Sequence, residues 1–181
     1  PRELKLKDML LLKDVHQVSH STFANIESII EEGDLIFLDI PSFLFRRVAE
    51  STASWTSHVG IAFKNELGQW VVSESKIPFS KEVPLEDYLR RSAKGRFEVT
   101  RLKQVMKAED VDKLRMKARG NHGRLYGLGF NLQAKTLFCS KHVYETYQAI
   151  DVQVGQLQTF EDLLRDNQET SSVKFWRAWF F

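Results

Sequence analysis

Apolar and polar positions alternate along this chain with two different periods. Between Ser21 and Glu32, the residues Phe23, Ile26, Ile29 and Ile30 recur at helical spacing, and Ser21 or Thr22 can cap them. The pattern predicts a helix there, ended by Gly33-Asp34. Leu35–Ile40 reads as a buried strand broken by Pro41, and Ser42–Glu50 as a short helix carrying Phe43, Leu44, Arg46 and Arg47. In Ser57–Lys64 the apolar residues Val59, Ile61 and Phe63 alternate, which is strand spacing. A turn over residues 65–69 and the run Trp70–Ser75 complete a hairpin. Helix is expected over Pro84–Arg91, strand over Phe97–Leu102 and helix over Ala108–Arg119. Residues 121–129 form a Gly-rich loop. Helices follow over Ser140–Ile150 and Thr159–Asp166, and the chain ends in an aromatic cluster, Phe175–Phe181. With no internal repeat and no linker, the elements predict one α+β domain over residues 1–181, a small antiparallel sheet packed against helices. Residues 1–20 are expected to be an N-terminal extension or part of a targeting signal read by a secretion machine.

Composition narrows the function classes. The 181 residues carry 26 Lys and Arg against 24 Asp and Glu, a net charge of +2 that gives no argument for nucleic-acid binding. Hydrophobic residues make up 43% of the chain and only 4 residues are proline, which excludes a disordered or low-complexity class. No run of about 18 apolar residues occurs, so no helical membrane span is expected. A single cysteine, Cys139, excludes an internal disulfide and every zinc site needing two thiolates. No pair of histidines has metal-ligand spacing backed by a carboxylate, so neither metal nor cofactor is expected.

The lone cysteine is a candidate nucleophile. Val143, Tyr147 and Ile150 follow it at helical spacing, so a helix begins at or just after it. A helix N-terminus offers partial positive charge and unpaired N–H groups, which favour a thiolate below the free-Cys pKa of about 8.5 and can receive an oxyanion. The alternative is a buried, inert cysteine. His58 opens the first hairpin strand, and Glu74 lies near the end of the second. Their midpoint, residue 66, falls inside the turn, which places them opposite or diagonal to each other. A carboxylate there would orient the imidazole and stabilise its protonated form. The alternative is an ordinary polar cross-strand pair, and a one-residue slip would separate the two. Trp55 precedes this strand as either a pocket wall or plain packing. His142, three residues after Cys139, either approaches the site or is a partly exposed helix residue. His16 and His20 fall in a polar stretch, and His122 in the Gly-rich loop.

The segments EGDLIF, SHVGI, VVSESKIPFS, LYGLGF and FCSKHVYETY occur in that order. Together they resemble the permuted papain-like hydrolases of the NlpC superfamily, in the YebB/YaeF-like branch, from about Gly33 to the C-terminus. The resemblance implies a circularly permuted papain-like fold in which the His and carboxylate precede the Cys. It makes Cys139 the nucleophile, His58 the general base and Glu74 its orienting partner. Tyr126 matches the aromatic ahead of the Cys helix and is expected to line the pocket or assist the oxyanion. The implied reaction is hydrolysis of amide bonds in bacterial peptidoglycan peptides. Some relatives act on lipid acyl groups, so a thiol acyltransferase or lipase-like enzyme is the rival reading, and a non-catalytic binding domain a third.

Pro1–Asp14 mixes acids, bases and leucines, unlike a secretory signal. Two expectations follow. One is delivery into a rival's periplasm by a contact-dependent route such as type VI secretion, which would imply a carrier and an immunity protein. The other is a trimmed N-terminus. The aromatic C-terminus is expected to pack in the core rather than contact a membrane.

Overall fold

The computed structural model describes residues 15–20, 23–52, 54–155, 172 and 174–175. Six strands form one antiparallel sheet: β1 (Val15–His20), β2 (Leu35–Leu38), β3 (His58–Lys64), β4 (Trp70–Ser75), β5 (Ser80–Pro84) and β6 (Phe97–Leu102), in spatial order β1-β6-β2-β3-β4-β5. The four α-helices are α1 (Phe43–Ser51), α2 (Leu85–Leu89), α3 (Ala108–Gly120) and α4 (Cys139–Tyr147). This is the α+β arrangement that the residue pattern predicts.

The central strands are apolar on both faces because helices cover both. On one face Leu35, Phe37, Val59, Ile61, Phe63 and Val71 pack with Leu114 and Ala118 of α3 and with Val143 and Tyr147 of α4. On the other, Ile36, Leu38, Ala62, Val72 and Val99 pack with Phe45 of α1 and with Leu85, Tyr88 and Leu89. Gly60 sits where Tyr88 crosses β3. A Cβ at Gly60 would collide with Val72 and stand 3.1 Å from the Tyr88 ring, whose hydroxyl donates to the Ile36 carbonyl at 2.8 Å.

Several boundaries differ from the sequence reading. Among the described residues of the Ser21–Glu32 segment, the helix is a 3-10 helix, Phe23–Ser28, rather than an α-helix. Val15–His20, placed in the extension by its polar sequence, pairs with β6. The edge strand β5 was also unforeseen. Its residues are mostly polar and only Ser80 is fully buried, and Pro84, which has no N–H to donate, closes it. Thr159–Asp166 and most of the aromatic C-terminus lie outside the described residues. Phe175 packs edge-on against Phe43, with ring centroids 5.6 Å apart.

The Gly-rich segment is tacked to the start of β5. Ser80 N–H donates to Arg124 O (3.0 Å), Gly123 N–H to Ser80 O (2.9 Å) and Tyr126 N–H to Pro78 O (2.9 Å). Leu137 then pairs back on the same segment, its N–H reaching Leu125 O at 2.9 Å, immediately before α4 begins. Gly127 is required here because a Cβ would collide with the Thr136 side chain. The loop thus sets both Tyr126 and the start of the Cys139 helix.

Candidate active site

His58 and Glu74 are brought together by the β3–β4 register. Gly60 stands directly opposite Glu74, so His58, two residues earlier on the same face, is its diagonal neighbour. His58 Nε2 lies 2.5 Å from Glu74 Oε2, and both side chains are fully buried. The second carboxylate oxygen, Oε1, accepts from Arg91 at 2.8 Å. Arg91 has no motif to announce it: it follows Arg90, which turns outward to pair with Glu86. Burial favours a neutral Glu74, but the His58 hydrogen bond and charge and the Arg91 pair outweigh it and hold the carboxyl at about 2. Burial likewise opposes a charged His58. Hydrogen bonding and charge from Cys139 and Glu74 prevail and lift the imidazole to about 9. The environment is therefore built for an imidazolium–carboxylate pair. Phe45 and Tyr88 wall the ring, with centroids 5.6 and 5.7 Å from it.

Cys139 is buried and is the first residue of α4, with Phe138 as its cap residue. The first hydrogen bond of the helix runs from His142 N–H to Phe138 O at 2.9 Å. Earlier N–H groups of that turn have no intrahelical acceptor, which is the chemistry of an oxyanion site. With Nε2 held by Glu74, Nδ1 is the His58 atom left for the thiol. It has no hydrogen-bond partner of standard geometry, and Cys139 lies near enough to help raise the pKa of the ring. Catalytic hydrogen bonds are often loose before substrate arrives. Tyr126 reaches the same thiol, and its ring lies 6.3 Å from that of Phe45. Burial first, and then Cys139, push its hydroxyl well above the ordinary tyrosine range, so it stays protonated and able to donate.

The remaining candidates fall differently. Trp55 is half-buried and packs beside the Cys139 cluster, but the aromatic walls of His58 are Phe45 and Tyr88. Over Trp55 lies the Arg96 guanidinium, 4.2 Å from the ring centroid. His142 is fully buried rather than partly exposed, because α4 is enclosed around nearly its whole first turn. Even Lys141 is buried there, its ammonium donating to the carbonyls of Thr136 (3.0 Å) and Ala134. His16 and His20 lie in β1.

A buried thiol at a helix N-terminus, facing a carboxylate-held imidazole on an antiparallel sheet, defines a papain-like architecture. His58, Glu74 and Cys139 come in the permuted chain order. The family model for the permuted papain-like amidase enzymes of the YaeF/YiiX type, family C92, matches residues 29–178, and the chain belongs to that family. The uncharacterized protein YiiX of Escherichia coli K12 is 26% identical over 133 residues, covering 73% of this chain and 65% of its own length. The chain therefore matches a little under two thirds of that relative. A crystal structure of YiiX from Escherichia coli O157:H7, described as a metalloprotein, superposes with a TM-score of 0.72 at 25% identity. It covers 80% of this chain and 78% of its own. Among the described residues of the present chain, no group of three or more His, Cys, Asp or Glu side chains could hold a metal ion.

Proposed function

We propose that the protein is a cysteine hydrolase that cleaves amide bonds in bacterial peptidoglycan peptides. The observation that carries this reading is the Cys139 thiol at the start of α4, set against a His58 whose far nitrogen is held at 2.5 Å by buried Glu74. Membership of a papain-like amidase family supports it. In this reading Sγ of Cys139 gives its proton to His58 and attacks the amide carbonyl carbon. The oxyanion is received by the first N–H groups of α4 and by the Tyr126 hydroxyl. His58 returns the proton to the leaving amine as the C–N bond breaks, leaving a thioester. Water, deprotonated by His58, hydrolyses the thioester and restores the thiol. Glu74 keeps the imidazole oriented and stabilises its cation throughout. Trp55, which packs beside the cluster holding Cys139 and under the Arg96 guanidinium, would form an outer wall for the substrate. Peptidoglycan lies outside the cytoplasm, so the enzyme would work in the periplasm, its own or that of a rival cell.

One surface feature favours a second reading, in which the thiol attacks a lipid acyl group. Ile77 (44% exposed), Phe79 (42%) and Leu125 (63%) are exposed apolar side chains on the segments that carry Tyr126 to the thiol. Digestion of purified peptidoglycan with wild type and Cys139→Ala, followed by mass analysis of the soluble products, tests the first reading. Peptide fragments released only by wild type are expected. Fatty acid released from phospholipid, with peptidoglycan left intact, would move the assignment to the second reading.

A further inference from the structure

A second buried polar cluster lies one helical turn from the thiol and takes no part in the chemistry above. His142 Nε2 is 2.9 Å from Ser73 Oγ, and the same hydroxyl is 3.0 Å from His122 Nε2. On its other side His142 Nδ1 is 3.3 Å from Asn121 Nδ2. The direction of every proton follows from the chemistry. Arg124 has only donors, and its Nη1 lies 2.9 Å from Asn121 Oδ1, so the amide oxygen faces Arg124 and the NH2 faces His142. Asn121 therefore donates to Nδ1, which puts the His142 proton on Nε2. That nitrogen donates to Ser73, and the Ser73 hydroxyl donates to His122. Burial holds both histidines below their ordinary range, His142 at about 3, so each stays neutral and keeps one acceptor nitrogen.

The elements joined are two of those that build the site. His142 is on α4, three residues after Cys139. Ser73 is on β4, immediately before Glu74. Among the described residues the His142–Ser73 bond is the one side-chain hydrogen bond between these two elements. Arg124 secures the far end, its Nη1 also reaching Glu145 of α4 at 2.6 Å.

We infer that the Asn121–His142–Ser73–His122 chain is a positioning device that fixes α4 against β4, so that Cys139 meets the face of His58 that Glu74 has oriented. The inference rests on the reading of Cys139 as nucleophile. Losing the His142–Ser73 bond lets the helix turn or slide, and a displacement of about 1 Å at a reacting atom costs about a hundredfold in rate. His142 and Ser73 are positioning residues, not catalytic ones.

The test is the pre-steady-state burst of p-nitrophenolate when p-nitrophenyl acetate acylates the enzyme. The Sγ–acyl bond forms, the acyl–oxygen bond breaks, and the thiol proton passes to His58. Cys139→Ala supplies the blank. Ser73→Ala and His142→Leu break the bond, whereas His142→Gln keeps an N–H donor close to the Nε2 position. Folding is checked by circular dichroism and the thermal midpoint. The expected result is acylation at least about tenfold slower in Ser73→Ala and His142→Leu, with His142→Gln within about threefold of wild type. A purely structural role would lower the thermal midpoint and leave the acylation rate of folded enzyme unchanged. The inference is overturned if whichever of the two disrupting variants folds acylates at the wild-type rate, or if His142→Gln is as slow as His142→Leu. It is also overturned if all three fail to fold, which would make the chain a general requirement of the fold. A wild-type burst no larger than that of Cys139→Ala brings down the nucleophile reading, and this inference with it.

Discussion

Glu74 is a buried anion with both oxygens occupied, Oε2 by His58 and Oε1 by Arg91. Two cationic partners together offset its desolvation cost. The pair gives stability a defined pH dependence. The folded Glu74 titrates at about 2, below its ordinary 4.5, so its contribution is complete above 4.5 and is lost as pH falls towards 2. The folded His58 titrates at about 9, above its ordinary 6.5, so its contribution is complete below 6.5 and is lost as pH rises through 9. Urea melts across pH should therefore show greatest stability between about 4.5 and 6.5. Glu74→Gln should flatten both flanks. Equal slopes in the two proteins would show that the pair is not what titrates. Arg91 and its neighbour offer a paired control. Arg91→Met strips one partner from Glu74 and should lower both stability and turnover, whereas Arg90→Met removes an exposed pair worth about 0.5 kcal/mol or less. Equal effects in the two variants would remove Arg91 from the site. For turnover itself, Cys139→Ala and His58→Ala should each cost about 10³-fold or more. Glu74→Gln should cost less, because it keeps the shape and loses only the charge.

At the level of elements, legibility followed burial. The hairpin could be read because β3 and β4 are apolar runs around an obvious turn, and a diagonal His58–Glu74 pair was one of the two registers their spacing allows. The edge strands were hidden. β5 is a short, mostly polar edge strand, and β1 is rich in polar residues, so neither shows a clear alternation of two. The burial of His142 was hidden for a different reason. Lys-His-Val-Tyr-Glu reads as half-polar, and only the fold places Ser73 and Asn121 where a neutral imidazole can use both nitrogens. Arg91 could not be told from Arg90 without the end of α2. Gly60 belongs to this scale too, since it is where α2 and β3 touch through Tyr88. Gly60→Ala should overpack that contact and destabilise the protein by about 1–3 kcal/mol in urea titration. A neutral result would mean that α2 can shift away without loss.

Across the whole molecule, one sheet with helices on both faces gathers residues 58, 74, 91, 126 and 139 from five separate segments into one buried site. The chain order of His, carboxylate and Cys is immaterial to that geometry, which is why a permuted papain-like chain can keep the site. The spacing of the hairpin was enough to set His58 beside Glu74. The packing of Tyr88 and Phe45 on the His58 ring and the Arg91–Glu74 pair exist only once the sheet has formed. The central claim is that Cys139 becomes acylated with His58 as its base. The most direct measurement is intact-protein and peptide mass spectrometry of enzyme acid-quenched during turnover of soluble peptidoglycan fragments. An acyl adduct on the peptide containing Cys139 is expected, present in wild type and absent in His58→Ala. Product formed by wild type with no adduct on that peptide, or with an adduct on another residue, would contradict it.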